Sequence, residues 1–208
     1  MSGRVSLVAH RGQPLSFPEN SLQGFKHVLD AGAKYLETDV NITADGIPVL
    51  SHDANLLKLT GKQIIISDHS YEVIEQISAG YSERFGDQFS EYRISTLQSF
   101  VQLMKQWPDA RCFVELKEAS LNYFRNKAVD LVFEQIAQIA PQCTLISFDY
   151  DAILYTKKTY DIPVGWVIPK WNDENAQKAA ELSPEFLFVD SDICPDDQAE
   201  IWSGRWDW

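Results

Sequence analysis

Short runs rich in β-branched and aromatic residues alternate along this chain with longer stretches of helical period, and no other feature constrains the fold as much. The alternation is that of a parallel α/β sheet whose strands are joined by helices. Strands are predicted over residues 5–9, 34–40, 48–51, 112–116, 144–148, 164–168 and 186–189. Helices are predicted over residues 20–31, 97–106, 122–139, 149–159 and 172–182, the first bracketed by Pro18 and Gly32 as start and stop signals.

Two segments depart from the alternation. Thr43-Ala44-Asp45-Gly46 reads as a tight turn joining the second and third strands directly, with Asp-Gly supplying the positive φ. Residues 54–93 form an insertion after the third strand, with a helical piece over 71–79; in a barrel such an insertion lies on the catalytic face, as a cover for substrate or as a packing subdomain. Eight strands close an α/β barrel and seven are countable. The final residues, Ile201 to Trp208, read as a helix end, a turn and the start of a further strand, so the fold is expected to be an α/β barrel cut short before its last unit.

A chain of 208 residues with 45% hydrophobic content can bury one sizeable core, so residues 1–208 are expected to form a single domain. A net charge of −12, with Lys and Arg scattered singly or in pairs, argues against nucleic acid as a partner. No apolar run is long enough to span a bilayer, and the N-terminus is too short for a signal h-region, so a soluble, cytoplasmic protein is expected. Cys112, Cys143 and Cys194 lack CxxC spacing and read as reduced thiols. Oligomeric state is not legible.

The residues that carry chemistry fall at strand ends. Glu37 and Asp39 alternate on the second strand and therefore share a face, which in a parallel strand covered by helices is the barrel interior. Two buried like charges destabilise the fold by several kcal/mol unless a proton or cation compensates them. Glu115 repeats the device on the fourth strand, with Lys117 on its face. Three carboxylates make a set of hard oxygen ligands suited to Mg²⁺ or Ca²⁺. His10-Arg11 closes the first strand and His52-Asp53 the third, bringing two imidazoles able to accept and donate a proton. Arg11 presents a fork that matches phosphate oxygens. Three carboxylates, a divalent cation, Arg11 and Lys117 leave the mouth roughly singly positive, a match for a phosphodiester. His27 and His69 lack such a setting and read as structural or exposed; Trp166 and the insertion's aromatics read as core in preference to pocket lining.

His10-Arg11-Gly12, Pro18-Glu19-Asn20-Ser21, Glu37-Thr38-Asp39-Val40, Thr43-x-Asp45-Gly46, Val49-x-x-His52-Asp53 and Glu115-Leu116-Lys117 together resemble the glycerophosphodiester phosphodiesterase family. The resemblance runs in order from about residue 5 to residue 148. It implies a TIM (β/α)8 barrel that uses Mg²⁺ or Ca²⁺ to hydrolyse a small-molecule glycerophosphodiester to glycerol 3-phosphate and an alcohol. By motif position, Glu37, Asp39 and Glu115 would hold the metal, and His10 and His52 would be the acid/base pair. Arg11 and Lys117 would hold the phosphate, with Glu19 and Asn20 supporting the site. Family members usually continue through a further strand and helix, which are expected to be missing from these 208 residues. The alternative is a truncated or degenerate barrel that binds metal or phosphodiester without turnover. Related barrels cleave lysophospholipids or phosphoinositides; a lipid substrate would need an apolar lip, expected only from the insertion.

Overall fold

The computed structural model describes residues 6–195 and Trp202, so the predicted ending over residues 201–208 lies, apart from that Trp, outside the described residues. Six parallel strands form the sheet in the order β1 (Val8–His10), β2 (Tyr35–Ile42), β4 (Arg111–Leu116), β5 (Cys143–Ser147), β6 (Val164–Val167) and β7 (Phe186–Phe188). β2 is buried along nearly its whole length because it lies inside the sheet with helices on one side and the barrel interior on the other. Its period of two sorts the residues. Leu36 and Val40 join Val114 and Leu116 of β4 in packing against Phe25, Phe100, Met104, Val129 and Val132 of the outer helices. Glu37, Asp39 and, on β4, Phe113 and Glu115 point the other way.

The sheet curls. Phe113 of β4 meets Phe186 and Phe188 of β7 at ring-centroid distances of 5.2 and 5.0 Å, edge-on, although two strands separate them in the sheet. Among the described residues no pairing joins β7 back to β1, so the architecture is an α/β barrel left open between its first and last strands.

The third predicted strand needs correction. β3 (Pro48–Leu50) is not a further parallel barrel strand; it pairs antiparallel with β2, Val40 opposite Leu50, and stands off the main sheet path. The cause is the turn at Thr43–Ile47, closed by the Thr43 amide donating to the Ile47 carbonyl at 3.1 Å and by Gly46 at φ +85°. A link this short permits only a hairpin, since a parallel return needs a crossover of about a dozen residues. His52 therefore follows a strand that runs opposite to its barrel neighbours, and it still lines the mouth beside Glu37 and Glu115. The predicted 122–139 helix also divides, into Glu118–Phe124 and Asn126–Ile136, where Arg125 adopts φ +55°. Its earlier start lets Ser120 Oγ accept from the Ile42 amide at 2.9 Å, seating the helix over the end of β2.

The insertion builds a core of its own. Leu56, Leu59, Ile64, Ile66, Ile74 and Ala79 pack with Val49 of β3 and Ile94, around single helical turns rather than a long helix; the piece predicted over 71–79 is Tyr71–Ile74. Gly80 is required there, because a Cβ at that position would lie 2.1 Å from the Phe89 carbonyl oxygen, a backbone atom that cannot rotate away. Gly80→Ala is expected to destabilise the protein by about 1–3 kcal/mol, read as a lower midpoint in urea unfolding; an unchanged midpoint would show that the insertion does not pack this way.

Candidate active site

At the carboxyl ends of β2 and β4, register pairs Asp39 with Glu115 and sets Glu37 two residues earlier on the same face. One oxygen from each of Glu37, Asp39 and Glu115 lies within 4.8 Å of the others, and all three residues are buried. Burial, reinforced by the charges of Asp39 and Glu115, pushes the Glu37 carboxyl well above the usual carboxylate range. Burial likewise raises Glu115, against the pull of Lys117. Asp39 goes the other way: burial would raise it, but Lys117, the Asn20 amide and Arg11 together hold it below its ordinary value.

The surrounding polar groups explain that asymmetry. Lys117 Nζ lies 3.1 Å from Asp39 Oδ1 and 2.7 Å from Glu115 Oε1. Arg11 Nε lies 3.1 Å from Asp39 Oδ2, though its N–H does not point along the contact. Asn20, at φ +58°, donates Nδ2 to Asp39 Oδ2 at 2.9 Å, while its Oδ1 accepts from the Asp39 amide and from Thr38 Oγ1. Its own amide donates to the Arg11 carbonyl, so this one side chain fastens the loop after β1 to β2. Glu37 receives less: the Arg11 amide donates to Oε2 at 3.2 Å, but Oε1 is buried with no hydrogen-bond partner. A buried carboxylate oxygen with no donor, beside two further carboxylates, fits a hard divalent cation.

The two histidines flank this cluster. His10 Nε2 is 3.6 Å from Glu37 Oε2, and burial together with Arg11 lowers its pKa. His52 follows β3. Both line one cavity of about 540 Å³ with Arg11, Glu37, Glu115 and Lys117. Six of the seven residues singled out from sequence thus line one space, and the seventh, Asp39, is fully buried against two of them, Arg11 and Lys117.

Sequence reasoning understated three contributors. Asn20 is the main hydrogen-bond anchor of Asp39, a role hinted at only by its place in Pro-Glu-Asn-Ser. Lys58 of the insertion reaches Glu19 at 2.6 Å, a contact across distant segments. The cavity's apolar wall comes not from the insertion but from Ile146, Phe148, Ile168, Pro169, Phe188 and Val189 around the ends of β5–β7. Trp166 is buried as expected, its indole donating to the Phe148 carbonyl at 3.1 Å.

Glu37 gives a stability test independent of turnover. Its folded pKa lies above the unfolded value, so the folded state binds the extra proton. Stability of the cation-free protein therefore falls as pH rises from the ordinary carboxylate range toward the folded pKa. Glu37→Gln removes that loss. Without divalent cations at neutral pH the variant is expected to be about 1–3 kcal/mol more stable than the parent, with the difference vanishing near pH ~4; thermal melts across pH check it, and a less stable variant at neutral pH would refute it.

Fold and site together define an α/β-barrel chain with a carboxylate cluster suited to a divalent cation at the carboxyl ends of its strands. Residues 10–196 match the model of the glycerophosphoryl diester phosphodiesterase family, and the chain belongs to that family. It is 32% identical over 120 residues to the glycerophosphodiester phosphodiesterase of Caldanaerobacter subterraneus subsp. tengcongensis, covering 58% of this chain and 48% of the relative. It is 36% identical over 98 residues to glycerophosphodiester phosphodiesterase 1 of Bos taurus, covering 47% of this chain and 30% of that protein. The chain spans about half the length of the bacterial curated relatives it matches. Among solved structures, an Oleispira antarctica phosphodiesterase in complex with the product sn-glycerol-3-phosphate superposes with a TM-score of 0.81 at 25% identity, covering 92% of this chain and 77% of that one. A Silicibacter pomeroyi structure of 23% identity, with a TM-score of 0.78 and coverage of 91% and 76%, shares the fold. Among the described residues no helix is long and apolar enough to cross a membrane.

Proposed function

We infer that this chain hydrolyses glycerophosphodiesters to sn-glycerol 3-phosphate and an alcohol, with a divalent cation held by Glu37, Asp39 and Glu115. The observation that carries this reading is a cluster of three carboxylates from two strands, two of which line one cavity with two histidines and two basic side chains. The oxygen-only donor set suits Mg²⁺ or Ca²⁺. When bound, the cation would polarise a phosphoryl oxygen and offset the charge that builds there.

The chain's own residues do the rest. Arg11 and Lys117 lie where a phosphodiester facing the cluster would meet them, and orient it by charge and hydrogen bonds. One imidazole takes the proton of the attacking hydroxyl as its oxygen bonds to phosphorus, either water directly or the glycerol 2-hydroxyl, whose cyclic phosphate a water then opens by breaking the new phosphorus–oxygen bond. The other imidazole protonates the alcohol oxygen as its bond to phosphorus breaks. The apolar residues around Phe148 line the same cavity with groups that do not compete for these protons. The insertion, residues 54–93, reads as a cover built into this single unit, linked to the site through Lys58 and Glu19.

The test is release of sn-glycerol 3-phosphate from glycerophosphocholine with Mg²⁺ or Ca²⁺, with and without chelator. Cation-dependent release supports the reading. Cation binding without release would identify a non-catalytic binding barrel instead, and cation-independent release would contradict the carboxylate site.

A further inference from the structure

His52 and Asp53 are consecutive residues just after β3, where the chain bends at His52. Here His52 Nδ1 lies 2.7 Å from Asp53 Oδ1. The backbone beneath the pair is fastened to β2. Asn41, buried, donates Nδ2 to the Ser51 carbonyl at 2.8 Å and to the His52 carbonyl at 3.4 Å. The Ser51 amide donates to the Asp39 carbonyl at 3.1 Å, and Ser51 Oγ to the Asp53 carbonyl at 2.9 Å. A pair held this way has a fixed seat against the carboxylate cluster rather than the freedom of a loop tip.

His52 also stands between two spaces. One is the cavity it shares with the carboxylates; the other is an open groove of about 800 Å³ bounded by Asp53, Asn55, Lys58 and Glu83. Asp53 borders the groove and not the cavity. With Nδ1 committed to Asp53, Nε2 is the ring nitrogen left for the cavity.

We propose that Asp53 is a positioning residue for His52: its carboxylate accepts the Nδ1 proton and fixes the neutral ring with an Nε2 lone pair directed to substrate. This rests on the hydrolytic reading above and adds to it the assignment of His52 as proton acceptor. The attacking oxygen gives its proton to Nε2 as it bonds to phosphorus, the phosphorus–oxygen bond to the alcohol breaks, and His10 supplies that alcohol's proton. Asp53 keeps its charge throughout and faces the imidazolium that forms, the arrangement by which a third group orients a base. Asp53 lies outside the candidate cation ligands, so it holds the ring whether or not the cation site is filled; the carboxylate beside His10 is Glu37, itself a candidate ligand.

The experiment uses the full chain, with ¹⁵N-labelled histidine read by NMR and steady-state kinetics on glycerophosphocholine. His52 is expected as the Nδ1–H tautomer, and Asp53→Asn and Asp53→Ala are expected to lose that signature. Both variants should lower kcat by about 10- to 100-fold, a part of what a positioned proton-transfer group contributes, with KM and the cation-induced thermal shift unchanged. Asp53→Glu should recover part of the turnover. An Nε2–H tautomer in the parent protein, or an unchanged kcat in Asp53→Asn, would overturn the proposal. If the parent shows no turnover the hydrolytic reading fails by itself, and the NMR signature still decides whether Asp53 orients His52.

Discussion

Replacing Asp39 by Asn is expected to lower release of sn-glycerol 3-phosphate by at least about 10³-fold, and a chelator is expected to do the same to the unaltered protein. The magnitude follows from the several kcal/mol that a bound cation supplies to a charge-building transition state, at about 1.4 kcal/mol per factor of ten. Asp39 is the most sensitive position because so much converges on it. Lys117 and Arg11 sit 3.1 Å from its two oxygens, and Asn20 donates to it as well. Asn keeps the volume and removes the charge, so the loss is electrostatic rather than a matter of packing. A coupled assay for glycerol 3-phosphate reads the outcome. Turnover in Asp39→Asn within about tenfold of the parent would mean the cluster does not serve the reaction.

Second in size is the effect of the histidines. His10→Ala and His52→Ala are each expected to lower kcat by about 10²–10⁴ while leaving cation binding in place. Neither ring is among the three residues whose oxygens cluster, so each can be removed without dismantling the carboxylates. The double variant is expected to fall short of the product of the two single effects, because the rings act on one proton-transfer sequence. Steady-state kinetics beside calorimetric titration of the cation separates the two readouts. Unchanged kcat in both single variants would eliminate the acid/base roles.

The parts of this site legible in the sequence are those a strand's geometry dictates. Glu37-Thr38-Asp39 and Glu115-Leu116-Lys117 had to place their charged residues on one face, and helices covering the other face left only the interior. That argument needs no knowledge of neighbouring strands, and Glu37, Asp39 and Glu115 are buried in the structure. Counting strands was less secure, since Pro48–Leu50 has the composition of a barrel strand and only the brevity of the Thr43–Gly46 turn shows that it folds back. The same turn decides the direction from which His52 arrives.

Contacts between distant segments were beyond reach. Asn20 sits in a loop, and its bonds to Thr38 and Asp39 depend on a left-handed backbone that Asn tolerates but does not announce. Lys117 was readable as a cation at the mouth, yet its ion pair with Asp39 spans adjacent strands and emerges only from their register. From sequence, an apolar lip for a lipid substrate is expected only from the insertion. The cavity's apolar wall lies instead on the strand ends and loops of β5–β7, which sequence marked only as ordinary strand termini. The insertion's own apolar residues are spent on a separate small core.

The account depends on a cation held jointly by β2 and β4, and calorimetric titration of Mg²⁺ or Ca²⁺ tests that most directly. The parent protein should take up one cation per chain, Glu37→Gln, Asp39→Asn and Glu115→Gln should each abolish or sharply weaken uptake, and His52→Ala should retain it. Undiminished uptake in all three carboxylate variants, or no uptake by the parent, would contradict it.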